Sequence, residues 1–110
     1  MLLALTLSAQ TYTGGVKGTV VSRLSRTAVD GAELILYSDG QEVARTKAGA
    51  DGVFNIANLK DGMYDLVIES PEYLQSRVNL SVENGYVKNM FTLSLTPVAK
   101  VSEEIGRAHV

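Results

Sequence analysis

The sequence predicts an all-β chain folded as a seven-stranded antiparallel β-sandwich. Three observations predict it. Apolar and polar residues alternate with period two in seven separate runs. Turn signals such as Asp39-Gly40, Asp51-Gly52 and Asn84-Gly85 separate the runs, at the roughly 8–12-residue spacing of a sandwich. No stretch carries the periodicity of an amphipathic helix.

The stretch from Thr46 to Tyr64 organises the rest. Asp51-Gly52 marks a tight turn, because glycine accepts a positive φ without a Cβ clash. Phe54 and Ile56 flank Asn55, as in a short strand with one buried face. Asn58 to Gly62 turns the chain again. Tyr64, Leu66 and Ile68 then alternate with Asp65 and Glu69, which predicts a longer half-buried strand.

The first strand is predicted over about 15–22, where Val16, Gly18 and Val20 alternate with Lys17 and Thr19. Ser22 to Gly31 reads as a polar loop with Leu24 and Val29 tucked beneath it. From Ala32 to Ser38, Leu34 and Leu36 share one face and Ile35 and Tyr37 the other. Apolar residues on both faces predict a central or partly covered strand. Asp39-Gly40 is a two-residue hairpin signal, and polar Gln41 to Ala48 suits an exposed edge. Pro71 stops the ladder after Ser70. Val78, Leu80 and Val82 then form an apolar face, and Asn84-Gly85 predicts a hairpin pairing Val82 with Val87 and Val78 with Phe91. Val87, Phe91, Leu93 and Leu95 are expected on one buried face.

Bulk composition narrows the function. A chain of 110 residues holds one domain, and 45% hydrophobic with 20% charged residues marks it as globular. The net charge of -2 comes with no basic stripe, so nucleic acid is not an expected partner. The lack of cysteine excludes disulfides and thiolate metal sites. Residues 1–10 are apolar and end in small residues before Gln10, which reads as the remnant of a secretory signal peptide. Nothing approaches the roughly 20 apolar residues of a membrane-spanning helix. At the other end, residues 97–110 read as a linker and a non-native tail. Ile105-Gly-Arg-Ala-His-Val110 continues no pattern and back-translates as a common sequencing adapter.

Chemistry-bearing residues are sparse. The one histidine, His109, lies in that tail, so no triad base is expected. The carboxylates Asp30, Asp39, Asp51, Asp61, Asp65, Glu33, Glu42, Glu69, Glu72 and Glu83 fall mostly in turns or at outward strand positions, where Asp commonly serves turn geometry. No calcium loop or phosphate loop is present. Of Tyr12, Tyr37, Tyr64, Tyr73 and Tyr86, only Tyr37 and Tyr73 are expected to be exposed, and Tyr64 is expected in the core with its hydroxyl at the rim. No catalytic, metal-binding or cofactor-binding residue is predicted.

The order of parts resembles the carboxypeptidase regulatory-like domain, a transthyretin-like sandwich. The resemblance rests on Gly18-Thr-Val-Val, on Val29-Asp-Gly-Ala32 leading into Glu33-Leu-Ile-Leu36, and on Thr46 before Asp51-Gly52-Val-Phe54. It continues through Ile56, Leu59, Gly62-Met-Tyr64 and Leu66 and spans roughly residues 15–96. Val29 stands where the family often has proline, a change of loop stiffness. The resemblance implies a domain without catalytic residues or cofactor. It also implies the N-terminal accessory position ahead of the plug and barrel of a TonB-dependent outer-membrane receptor, on the periplasmic face of the bacterial outer membrane. The expected partner is a protein or the rest of its own chain, and contact with the membrane would come only through a following barrel. The alternative is a spacer module in a secreted or surface enzyme or adhesin.

Overall fold

Seven strands form where the alternation places them: β1 (Gly14–Ser22), β2 (Glu33–Ser38), β3 (Gln41–Lys47), β4 (Val53–Leu59), β5 (Gly62–Glu69), β6 (Ser76–Val82) and β7 (Val87–Leu95). The computed structural model describes residues 11–98. The predicted signal remnant and almost all of the predicted linker and tail lie outside them. The strands build two facing sheets, β4-β1-β7 and β3-β2-β5-β6.

The core lies between the sheets. Leu34 and Leu36 of β2 and Leu66 and Ile68 of β5 face Val16 and Val20 of β1, Phe54 and Ile56 of β4, and Leu95 of β7. Each of these side chains contributes about 1.5–3 kcal/mol by leaving water. Val29 is buried beneath its loop as expected, whereas Leu24 is 74% exposed. The Val29 N–H donates to the Val20 carbonyl at 2.9 Å and pins the loop to β1. Leu24 lies in the turn that follows β1, and its side chain points outward.

β2 is central, as its two apolar faces require. The outward face has its own solution. Ile35 pairs across to Val67, with Arg45 beyond Ile35 on β3 and Arg77 beyond Val67 on β6. Ile35 and Val67 are both buried although they point away from the main core. Long arginine stems can cover apolar neighbours while their heads stay wet. Arg45 is further held by a bidentate pair to Glu42, at 2.9 and 2.8 Å, and by Glu33 at 2.7 Å. The hydrogen bond from Arg45 keeps the Glu42 carboxyl below its usual range.

The hairpin expected between β6 and β7 does not form. Asn84 and Gly85 do adopt the positive φ values of the predicted turn, 56° and 68°, and the Tyr86 N–H closes it onto the Glu83 carbonyl at 3.0 Å. The chain then crosses to the other sheet, where β7 runs parallel to β1, with Gly15 beside Val87 and Ser22 beside Leu95. The sandwich is therefore mixed, with one parallel pair among antiparallel ones. Pairing β7 with β6 would have made a fifth strand of one sheet. It would have left β1 with a single neighbour and the core open beside it.

A β-bulge explains the second departure. Lys17 pairs with Asn89 and Thr19 with Thr92, so Met90 and Phe91 together oppose Gly18. Phe91 takes a φ of 58°, and its N–H donates to Asn89 Oδ1 at 2.8 Å. The extra residue inverts the alternation. Met90, Leu93 and Leu95 turn toward the core, while Phe91 is 73% and Val87 47% exposed.

Gly52 joins the sheets at the point where only glycine fits. Its φ is 79°, and a Cβ there would lie 2.5 Å from the Val20 carbonyl oxygen. The Gly52 carbonyl in turn accepts the Val20 N–H at 2.8 Å. Gly52→Ala should lose about 2–4 kcal/mol from backbone strain and displacement of β1. For a domain of this size that lowers the melting temperature by roughly 10 °C or more, measurable by thermal circular dichroism.

Candidate functional site

Most of the acidic residues singled out from the sequence are engaged in holding backbone or neighbouring side chains. Asp51 Oδ1 accepts the Val53 N–H at 3.0 Å and closes the Asp51-Gly52 turn. Asp65 accepts the Asn79 amide and lies 3.9 Å from the Arg77 guanidinium. Glu69 accepts Gln75, and Glu83 accepts the Ser81 hydroxyl. Glu33 and Glu42 clamp Arg45. Asp30, Asp39 and Glu72 are exposed in turns. Among the described residues, no three His, Cys, Asp or Glu side chains group as a metal site. His109 lies outside them.

Asp61 holds one end of the sandwich together. Its two carboxylate oxygens accept the N–H groups of Asn84 and Gly85 at 3.0 and 2.9 Å. That joins the β4–β5 turn to the crossover from β6 to β7. Thr13 adds a hydroxyl donated to the Gly85 carbonyl at 2.7 Å, and the Tyr12 N–H donates to Asn58 Oδ1 at 2.6 Å. Tyr64 is buried as expected, with its hydroxyl donating to the Lys60 carbonyl at 2.6 Å. Sequence reasoning gave Asp61 a turn role but missed its long-range partners, because nothing local marks the crossover as its neighbour.

The tyrosines are distributed differently from expectation. Tyr37 and Tyr73 are half-buried, while Tyr86 is 73% exposed on the crossover. The turn that carries Tyr86 bridges two sheets rather than closing a hairpin, so no facing strand covers its ring.

Four strands lie at the edges of the two sheets, β3, β4, β6 and β7. The segment just before β6 is paired with the one just after β7, Leu74 N–H to the Thr96 carbonyl at 2.8 Å and Val98 N–H to the Glu72 carbonyl at 2.9 Å, so β6 is open over Ser76–Val82. β3 is the exposed edge predicted from its polar sequence. It is interrupted where Leu36 pairs with Ala44 and Tyr37 with Glu42, which leaves Val43 without a register partner. β4 is interrupted near Asn58, whose φ is 60°, and β7 at Phe91. β6 keeps a continuous register with β5 over all seven residues. Bulges and charges protect an edge against further strand addition, so β6 is the edge best shaped to receive one.

A seven-stranded sandwich in which β1 pairs with β4 and β7 while β2 and β5 fill the facing sheet agrees with one family model. The carboxypeptidase regulatory-like domain matches residues 15–96. The chain belongs to that family. Solved structures with the same fold include a group B streptococcus pilus 2b backbone protein, 18% identical, with a TM-score of 0.66 over 81% of this chain and 43% of that one. A Klebsiella pneumoniae 5-hydroxyisourate hydrolase is 15% identical, with a TM-score of 0.61 over 77% of this chain and 92% of that one. A DUF3823 family protein from Bacteroides uniformis is 18% identical, with a TM-score of 0.60 over 80% of this chain and 44% of that one. At such identities the likeness concerns the fold. The chain spans less than half the length of the pilus protein and of the Bacteroides protein. The comparison with curated proteins gives no match.

Two measurements probe the end cluster of this carboxypeptidase regulatory-like domain. Asp61→Ala leaves the Asn84 and Gly85 N–H groups to water and should cost about 1–2 kcal/mol. Faster hydrogen exchange at those two amides is the specific sign. Tyr64→Phe should cost about 1 kcal/mol at neutral pH through the lost bond to Lys60. Burial, then the Asp61 carboxylate and Tyr12, push the Tyr64 phenol above its usual range. The fold therefore favours the neutral phenol. That stability is intact below the unfolded value of about 10 and is lost as pH rises through the higher folded value. Denaturant melts should show the parent chain falling more steeply than Tyr64→Phe above about pH 10.

Proposed function

We propose that this sandwich is the non-catalytic N-terminal accessory domain of a TonB-dependent outer-membrane receptor for nutrient uptake, exported to the periplasmic face of the bacterial outer membrane. The order of parts carries the reading: a signal-like stretch, one carboxypeptidase regulatory-like domain over 15–96, and a lead-out from Leu95 through Glu104. The geometry supports a module placed in line within a longer chain. Because β1 and β7 are parallel, the chain enters beside Val87 and leaves beside Ser22, at opposite ends of the strands. The offset is about 25 Å at the usual rise per residue. The engagement of most carboxylates in turns and clamps fits a domain that positions and contacts rather than catalyses.

A second reading, a structural spacer in a secreted or surface enzyme or adhesin, is favoured by the pilus proteins among the fold neighbours. The same in-line geometry serves it. The nucleotide sequence of the intact gene beyond the Glu104 codon separates the two. A plug followed by many roughly ten-residue alternating strands is the expected result and supports the receptor. A catalytic or glycan-binding domain there would replace it with the spacer reading, and a natural stop after Val110 would remove both.

A further inference from the structure

We propose that β6 is a self-pairing edge, through which two copies of this domain join antiparallel about a two-fold axis at Asn79. The proposal stands apart from the receptor reading. A row of unpaired backbone N–H and C=O groups is complementary to another extended backbone. Among the four open edges, β6 alone presents that row without a shift in register.

The sequence of β6 says which strand fits. With the two-fold at Asn79, Ser76 meets Val82 of the second copy, Arg77 meets Ser81, Val78 meets Leu80, and Asn79 meets itself. Residues 76, 78, 80 and 82 point to the core side and 77, 79 and 81 to the outer side. Every pair therefore joins residues of the same face, as a one-residue slip would not allow. Val78 and Leu80 meet at the centre on the inner side. No like charges oppose, because Arg77 is the only charged residue of the strand. The partly buried Val78, together with Tyr73, Met90 and Leu93 around the core, gives the added strand apolar surface to extend. The product is one continuous eight-stranded sheet, and the contact is isologous, so it closes at two copies.

One pair of seven-residue strands covers less surface than a standard stable interface. The association is accordingly weak.

The test uses the outward Arg77–Ser81 pair, which occurs twice across the axis. Sedimentation velocity of the purified 110-residue chain should show the sedimentation coefficient rising with concentration. Ser81→Arg sets two arginines opposite Arg77 and should keep the chain monomeric where the parent associates. Ser81→Glu creates two cross-strand ion pairs and should move the midpoint to a concentration roughly three- to tenfold lower. Adding Arg77→Glu to Ser81→Arg should restore association. Should one substitution impair folding, the other still decides, since their effects have opposite sign. A parent chain that stays monomeric to about 1 mM overturns the proposal. So does an association that both Ser81 variants leave unchanged, which would place the contact elsewhere.

Discussion

The parallel pairing of β1 with β7 is the constraint on which the rest of this domain depends. It joins the first described strand to the last, and it seats β1 between two neighbours. Without it the three-stranded sheet would be two strands wide, and Val16 and Val20 would lie at an open edge of the core. Parallel neighbours cannot be joined by a tight turn. Here the connection is the whole intervening chain, through both sheets. Closing so long a loop has a large entropic cost before the contact is rewarded. The pairing is therefore expected to follow formation of the local β2–β3 hairpin.

That cost explains where the side-chain hydrogen bonds gather. The crossover between β6 and β7 must leave one sheet and start the other without a ladder to hold it. Asp61 and Thr13 supply hydrogen bonds at this point from the two neighbouring segments. At the opposite end the Arg23 N–H donates to the Leu95 carbonyl at 2.8 Å and fixes where β7 stops. The parallel pair is thus held at its crossover end by groups that lie outside its own ladder, and at the other end by the last bond of the ladder itself. An ordinary hairpin needs neither clamp, and the β2–β3 turn has only its Asp39-Gly40 backbone, with φ values of 51° and 80°.

The legibility of the sequence follows from the range of the interactions. The strand runs, the Asp39-Gly40 hairpin, central β2 and buried Tyr64 were readable because each is set by neighbours within a few residues. Asn84-Gly85 shows the limit. Its backbone adopts the geometry the dipeptide favours, yet the strands on either side go to different sheets, because turn chemistry fixes local direction and tertiary burial chooses the partner. Phe91 failed for a related reason. Strict alternation from Val87 to Leu95 assumes no inserted residue, and the bulge is announced only by Asn89, whose carboxamide caps the Phe91 N–H. The role of Asp61 was hidden for want of any local sign of residues 84 and 85.

The outer surface of the four-stranded sheet shows how the fold reconciles two opposed demands. β2 and β5 are apolar on both faces, which stabilises the centre of the sheet but would expose Ile35 and Val67 to water. The register sets Arg45 and Arg77 on either side of that pair, and carboxylates at Glu33, Glu42 and Asp65 orient the two guanidinium groups. Exposed ion pairs add little stability by themselves. Their value here is positional, since acids that hold a guanidinium also restrict where its aliphatic stem can lie beside the apolar pair. Arg45, gripped by two carboxylates, also places charge on the β3 edge. Arg77, reached by one acid at longer range, leaves β6 the more open of the two. The same row of residues across the back of the sheet thereby makes its two edges unequal.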